Sequence, residues 1–166
     1  MATQENLRAA FAGESQANRK YAAFSEKADE EGFKNVGRLY RAASMAEAIH
    51  ARRELVVMGG LKTTAENLQG SIEGETDEFT EMYPRFVEEA EKEGNDEAVI
   101  TFTHAMKAEQ VHAGLYTRAL EAVQGGKDLD LTDVFLCPVC GNIVLNAVPE
   151  RCPICGVPGV RFGSVE

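Results

Sequence analysis

The chain has 166 residues and a formal charge of −10, with 27 acidic against 17 basic side chains. This excess of negative charge argues against nucleic acid as a partner, because binding a phosphate backbone requires clustered Lys and Arg. The first residues lack the basic patch and apolar run of a secretory signal, and no window holds the roughly 18 apolar residues of a membrane span. We therefore expect a cytoplasmic protein with no membrane partner.

The first three quarters of the chain have the composition of helices. Ala, Glu, Leu, Lys and Arg dominate, and glycines divide the stretch. The single proline of this part, Pro84, is expected to kink its helix or to lie where a neighbour replaces the lost hydrogen bond. The pattern predicts four helices, near residues 4–30, 33–58, 75–93 and 95–124, with a longer connection over 60–74.

Polar side chains interrupt the apolar faces of these helices. An E-x-x-H pair places Glu and His about one turn apart on one face, so that both can reach one ion. One such pair in a Glu-rich helix usually lies at the surface. Two pairs, with one Glu from each of two further helices, are the arrangement of dinuclear carboxylate sites in helical bundles. The candidate ligands are Glu14, Glu47, His50, Glu75, Glu109 and His112, and Glu78 adds a carboxylate one turn after Glu75.

These polar residues recur at a nearly constant interval. Glu14 and Glu75 are 61 positions apart, the two E-x-x-H pairs are 62 apart, and Tyr21 has a near counterpart in Tyr83. The repeat predicts a pseudo-twofold bundle of two helix pairs. Four glutamates balance the charge of two divalent cations, and mixed oxygen and imidazole ligands suit iron or manganese, with zinc not excluded.

After Gly126 the sequence becomes rich in Val, Pro, Gly and Cys, so we expect two domains, 1–128 and 129–166. The second is too short to be stable without a metal or another cross-link. It contains two C-P-x-C-G motifs, with Cys137 and Cys140 in the first and Cys152 and Cys155 in the second. Paired motifs of this kind predict a tetrahedral site for one iron or one zinc, and their spacing does not separate the two metals.

Nearly the whole chain resembles the rubrerythrin family, through G-E at 13–14, E-A-I-H at 47–50, G-E-T-D-E at 74–78, M-Y-P at 82–84, E-Q-V-H at 109–112 and both cysteine motifs. The resemblance implies a mainly α fold, in which a ferritin-like four-helix bundle with a di-iron centre precedes a small rubredoxin-like β/loop domain with an Fe(Cys)₄ site. It also implies an oxidative-stress peroxidase that reduces hydrogen peroxide to water. Its electrons would come from an NADH-linked chain, through reduced rubredoxin or a reductase.

The resemblance also implies roles for single residues. Glu14, Glu47, Glu75, Glu109 and His112 match iron ligands, while His50 and Glu78 match the pair that exchanges on one iron as its oxidation state changes. Tyr21 and Tyr83 match tyrosines that hydrogen-bond the ligand carboxylates, and would otherwise be core aromatics. Together, Glu78, His50, Tyr21 and Tyr83 are the expected catalytic group. Asn142 departs from the family, which often has an aromatic residue at this position. Since it follows the first cysteine motif, this difference affects the reduction potential expected for an iron in the Cys₄ site.

The position of the cysteines predicts a dimer. About 18 Å of helix separates His112 from Gln124, which would place the Cys₄ iron far from the di-iron centre of its own chain. We therefore expect a head-to-tail homodimer in which each Cys₄ centre serves the other subunit. Two alternatives remain: a ferritin-like ferroxidase or iron-storage protein, and a non-enzymatic zinc-ribbon adaptor.

Overall fold

The fold is taken from a computed structural model that describes residues 2–166. It is mainly helical with a small three-stranded sheet near the carboxyl end, which confirms the predicted fold class. The helices are α1 (Ala2–Glu30), α2 (Lys34–Val57), α3 (Thr64–Asp77), a π-helical turn (Glu78–Met82), α4 (Tyr83–Glu93) and α5 (Asp96–Gln124), and the strands are β1 (Val134–Leu136), β2 (Ile143–Leu145) and β3 (Gly163–Val165).

The first compact unit, which ends at Lys62, is an antiparallel hairpin of α1 and α2. Small residues let the two helices approach closely: a Cβ atom at Gly37 would collide with the side chain of Asp29. The Nδ2 atom of Asn18 donates to the carbonyl of Ser44 at 2.7 Å, and the hydroxyl of Ser44 donates to the carbonyl of Asn18 at 2.9 Å. These contacts fix the register of the hairpin.

The second unit begins at Thr63, and in it α3, the π-helical turn and α4 run antiparallel to α5. The prediction of a connection over 60–74 is wrong for most of its length, because α3 begins eleven residues before the predicted helix start. Thr63 and Glu66 form a reciprocal capping box at its first turn. The capping box indicates the start of this helix, whereas Gly70 and Gly74 predict breaks, and the helix continues through both glycines.

The cysteine-rich segment belongs to this second unit. Its sheet has the order β2-β1-β3 with antiparallel neighbours, and β1 pairs with both other strands. The predicted domain boundary between residues 128 and 129 remains a prediction. Among residues 2–166, no helix combines the length and apolar character that a membrane crossing requires.

Buried hydrophobic residues in the described part of the chain are few and mostly small. They are alanines, Leu120, Cys137 and Cys152. On α2, by contrast, Leu39, Met45 and Ile49 each keep 69% of their surface exposed. A helix that exposes large apolar side chains in this way presents a surface suited to association.

Candidate metal centres

The first unit gathers Glu14, Glu47 and His50, with one potential ligand atom of each within 4.8 Å of the others. The one-turn spacing on α2 sets the Nδ1 atom of His50 3.1 Å from Oε2 of Glu47, and α1 supplies Glu14, whose Oε2 lies 3.7 Å from the same nitrogen. A hydrogen bond with Glu47 raises the pKa of Glu14, and a hydrogen bond with Glu47 also raises the pKa of His50. The hydrogen bonds with Glu14 and His50 in turn lower the pKa of Glu47. Without a cation, Glu14 and His50 therefore hold their protons more tightly, while Glu47 favours the charged form.

The second unit repeats the arrangement with Glu75, Glu109 and His112, again within 4.8 Å. The Nδ1 atom of His112 lies 2.7 Å from Oε2 of Glu109, and its side chain is only 15% exposed, against 57% for His50. Burial, followed by the hydrogen bond and charge of Glu109, raises the pKa of Glu75 to about 7. This is the response expected of carboxylates brought together without the cation that would neutralise them.

His112 also connects this triad to the cysteine-rich segment. Its Nε2 atom lies 2.9 Å from the carbonyl oxygen of Gly141, the residue that follows Cys140. A carbonyl only accepts, so Nε2 carries the proton and donates it. The lone pair of a neutral ring is then on Nδ1, which faces the carboxylates, and this is the tautomer that a metal ligand requires.

Further polar side chains lie near the second triad. Burial, then repulsion by Glu109, raises the pKa of Glu78. Burial and the charges of the triad carboxylates likewise raise the pKa values of Tyr83 and Tyr116. Tyr116 is not among the predicted site residues, although it lies one turn beyond His112 on the same face of α5.

Glu54 occupies the equivalent place on α2, one turn beyond His50. The structure half-buries this residue and leaves its Oε2 atom without accessible surface. Its charge contributes to the raised pKa of Glu14. Glu54 therefore belongs to the surroundings of the first triad.

The four cysteine sulfurs converge on a common point. Two equivalent turns hold them: the amide of Gly141 donates to the carbonyl of Cys137 at 3.0 Å, and that of Gly156 to Cys152 at 2.9 Å. Both glycines have a left-handed backbone, with φ of 77° and 76°, which other residues adopt at a cost. The sulfurs of Cys137 and Cys155 are 3.6 Å apart and those of Cys140 and Cys152 are 3.5 Å apart.

These distances fit a tetrahedral metal site. With metal–sulfur bonds of about 2.3 Å, the sulfurs of such a site are about 3.8 Å apart. Burial raises the pKa of the Cys152 thiol, but amide donors from Cys155 and Ile154 outweigh that effect and bring it down to about 7. The same amide donors would stabilise a metal-bound thiolate.

Asn142 has a structural place in this site. It is 1% exposed, and its Nδ2 atom lies 3.9 Å from the sulfur of Cys152. Its backbone carbonyl accepts from the amide of Cys137 at 2.9 Å. A weak N–H donor directed at a sulfur stabilises negative charge there, so Asn142 would make an iron bound at this site easier to reduce.

Comparison with known proteins identifies the family. The family model "Rubrerythrin" matches residues 5–120, and the model "Rubrerythrin, rubredoxin-like domain" matches residues 135–163. The chain belongs to the rubrerythrin family. Rubrerythrin-2 of Clostridium acetobutylicum is 37% identical over 96% of this chain and 95% of its own length. Nigerythrin of Nitratidesulfovibrio vulgaris is 38% identical, over 96% of this chain and 85% of that protein.

Solved structures of nigerythrin are similar in fold. A mixed-valent state matches with a TM-score of 0.58 at 37% identity, covering 98% of this chain and 86% of that one. A fully reduced, all-ferrous state matches with a TM-score of 0.59 at 36% identity and the same coverage. With the two Glu/His triads and the cysteine cluster, membership of the family confirms the predicted cofactors: ligand sets for a di-iron centre and a four-cysteine metal site.

One premise of the predicted dimer is wrong. The Cys₄ site was expected to lie beyond the end of α5, far from the ligands of its own chain. Instead the cysteine-rich segment folds back along α5, so that Gly141 contacts His112 directly. On the same side of α5, His104 lines a small cleft with Val139 and Cys140. Distance within one chain therefore gives no reason for a head-to-tail dimer.

The raised pKa of Glu75 predicts how the stability of the metal-free protein depends on pH. The folded-state pKa of about 7 exceeds the usual value of 4.5, so the folded chain binds this proton more tightly than the unfolded chain. The resulting stabilisation is complete below pH 4.5 and is lost as the pH rises through 7. We expect the melting temperature of metal-free protein to fall between pH 5 and pH 7.5, and Glu75→Gln to reduce that fall.

Glu73→Gln, on the same helix but exposed, is the matched control for this measurement. It should leave the pH dependence of melting unchanged. Identical pH profiles for Glu75→Gln and the parent would contradict the prediction.

Proposed function

We propose that this rubrerythrin is a non-haem di-iron peroxidase that reduces hydrogen peroxide to two waters in oxidative-stress defence. Each Glu/His triad would supply ligands to the two irons of the di-iron centre, and the Cys₄ site would be the entry point for electrons. The observation that carries it is the hydrogen bond between His112 and Gly141, because it joins a ligand of the proposed di-iron centre to the Cys₄ loop within 2.9 Å. An iron-storage protein would have no need for such a connection.

The bound irons would supply two electrons and Lewis acidity. Two protons are needed in addition, and the chain offers groups to hold them. Burial keeps the hydroxyl of Tyr83 protonated at neutral pH, and the neighbouring carboxylates of Glu109, Glu78 and Glu75 reinforce this. We assign Tyr83 and its counterpart Tyr21 to donating hydrogen bonds at the centre, and His50 and Glu78 to the pair that exchanges on one iron.

Electrons would reach the centre along the Cys₄ loop. From the sulfur of Cys140 the path follows the backbone to the carbonyl of Gly141 and crosses one hydrogen bond to the ring of His112. We propose an NADH-linked chain as the source, with reduced rubredoxin or a reductase as the immediate donor. A comparison of turnover with peroxide and with Fe²⁺ plus oxygen would test the reaction: faster Fe²⁺ oxidation than peroxide reduction would favour a ferroxidase instead.

We also propose that the chain acts as a homodimer, head-to-tail as predicted, but with each Cys₄ site next to the His112 of its own chain rather than serving the other subunit. The exposed apolar side chains of α2 support association, because Leu39, Met45 and Ile49 would gain stability by burial against a second copy. Sedimentation of the iron-loaded protein tests this, and a fully active monomer would contradict it.

Glu78→Ala is expected to slow peroxide turnover by about 10- to 100-fold while the visible spectrum of the Cys₄ iron stays unchanged. The reason is that Glu78 is half-buried beside Glu109, where a charged side chain is costly unless a cation is bound. Steady-state peroxide reduction with a chemical or enzymatic donor measures the effect.

Glu81→Ala is the matched control for Glu78→Ala. Glu81 belongs to the same π-helical turn but is exposed, so its loss should leave the turnover unchanged. Equal rates for Glu78→Ala and the parent would contradict the exchange role.

A further inference from the structure

The helical stretch made of α3, the π-helical turn and α4 has one more residue between its ligand Glu and its Tyr than α1 has. Seven positions separate Glu14 from Tyr21, whereas eight separate Glu75 from Tyr83. The residues between Glu14 and Tyr21 lie in an uninterrupted α-helix. Between Glu75 and Tyr83 lies the π-helical turn Glu78–Met82, in which the amide of Tyr83 donates to the carbonyl of Glu78, five residues back.

Beyond this turn, equivalent residues of the two helix pairs again occupy equivalent positions, as two matching groups of aromatic rings show. Tyr21, Phe24 and Tyr40 have ring centroids 6.3, 6.0 and 5.6 Å apart. The residues 62 positions later, Tyr83, Phe86 and Phe102, have centroids 6.2, 6.2 and 5.6 Å apart in the same order of pairs. The interval between the repeats is 61 at Glu14 and 62 from Tyr21 onward, so the extra residue lies between Glu75 and Tyr83.

Helix geometry shows what the extra residue would do without the turn. Each residue of an α-helix rotates the chain by about 100°, so seven residues bring a side chain back to within about 20° of the starting direction. Eight residues would leave Tyr83 about 80° away from the direction of Glu75. A π-helical turn takes up one additional residue and removes this rotation.

Local chemistry favours the turn at this place. Pro84 has no amide proton, so the carbonyl of Thr80 would have no backbone hydrogen-bond partner in an α-helix. A wider turn at this place therefore gives up fewer hydrogen bonds than it would elsewhere in the helix. The hydroxyl of Thr80 in turn donates to the carbonyl of Thr76 at 2.7 Å, which gives an acceptor at the end of α3 a side-chain partner.

We propose that the π-helical turn Glu78–Met82 is a one-residue insertion that positions Tyr83 on the ligand-bearing face, against Phe102 and beside Glu75 and Glu109. Pro84 and Thr80 stabilise it. The turn thereby lets the second triad have Glu78 as an additional carboxylate without displacing the tyrosine. The position of Tyr83 does not depend on the proposed peroxidase activity, and only its role as a hydrogen-bond donor rests on that proposal.

Two single-residue deletions in the full-length protein test the proposal. Deletion of Thr80 shortens the Glu75–Tyr83 spacing to the seven residues of α1, so a plain α-helix keeps both side chains in place. We expect its melting temperature to stay within about 3 °C of the parent's. Deletion of the exposed Gln16, between Glu14 and Tyr21, rotates Tyr21 and Phe24 away from Tyr40 and should lower the melting temperature by about 10 °C or prevent folding.

The emission maximum of a tryptophan at position 83 then measures how exposed that side chain is to solvent. The chain has no tryptophan, so Tyr83→Trp introduces a single tryptophan, which is excited selectively at wavelengths that the remaining tyrosines do not absorb. We expect the same emission maximum with and without Thr80, and a red shift when an alanine is added after Thr80. Equal destabilisation by the two deletions, or a red shift on loss of Thr80, would overturn the proposal.

Discussion

Glu109→Ala is expected to reduce peroxide turnover by more than about 100-fold, well beyond the effect of a residue that only supports a ligand. Glu109 is the carboxylate on which the second triad depends. It shares a hydrogen bond with Glu75, lies 2.7 Å from the Nδ1 atom of His112, and its charge acts on Glu78, Tyr83 and Tyr116. Its removal takes away a ligand and leaves the remaining groups without their common partner.

The same substitution should separate the two kinds of metal site. We expect iron bound by the Glu/His residues to be lost while the iron–thiolate absorption persists, because the cysteine sulfurs have their own backbone donors. Glu121→Ala, an exposed glutamate three turns further along α5, is the matched control and should keep activity and iron. Full iron content with full activity in Glu109→Ala would contradict the assignment of the second triad.

The double substitution Cys137→Ser and Cys152→Ser is expected to unfold the cysteine-rich segment and to abolish peroxide reduction from an NADH-linked donor. These two sulfurs are the most buried of the four, and the segment has three short strands and almost no apolar core of its own. In small metal-bound domains the metal supplies folding free energy on the order of 10 kcal/mol, far more than three short strands provide. Limited proteolysis and hydrogen exchange over residues 134–165 measure the loss.

Zinc in the Cys₄ site is the control that separates folding from electron transfer. A zinc-loaded protein should keep the protected sheet and the contact between Gly141 and His112, yet lose turnover with the NADH-linked donor because zinc does not change oxidation state. Undiminished turnover in the zinc form would mean that electrons reach the centre by another path.

The chemistry of this chain was readable from its sequence because ligand motifs are local. The E-x-x-H pairs depend only on helix spacing, and the C-P-x-C-G turns depend only on a tight backbone with a left-handed glycine. The structure brings each predicted ligand except Glu78 into one of three clusters, and Glu78 lies close enough to Glu109 for the two charges to interact. The assigned roles of these residues remain predictions.

Features that depend on long-range packing were not readable. The return of the cysteine-rich segment to His112 joins residues 29 positions apart and follows from how the tail packs on α5, which no local pattern specifies. Only two features of the sequence indicate the π-helical turn: Pro84, and the change of the repeat interval from 61 to 62 residues between Glu75 and Tyr83. At the start of α3 two local signals conflict, because Gly70 and Gly74 predict breaks while the capping box of Thr63 predicts a helix, and packing against α5 decides for the helix.

Iron analysis of protein purified without added metal, combined with Mössbauer spectroscopy, tests the central claim most directly. If two triads hold one iron pair and four thiolates hold a third iron, the parent should contain three irons per chain, two of them exchange-coupled. Glu109→Ala should retain the single thiolate-bound iron. One iron per chain in a fully active parent, with no coupled pair, would contradict the account.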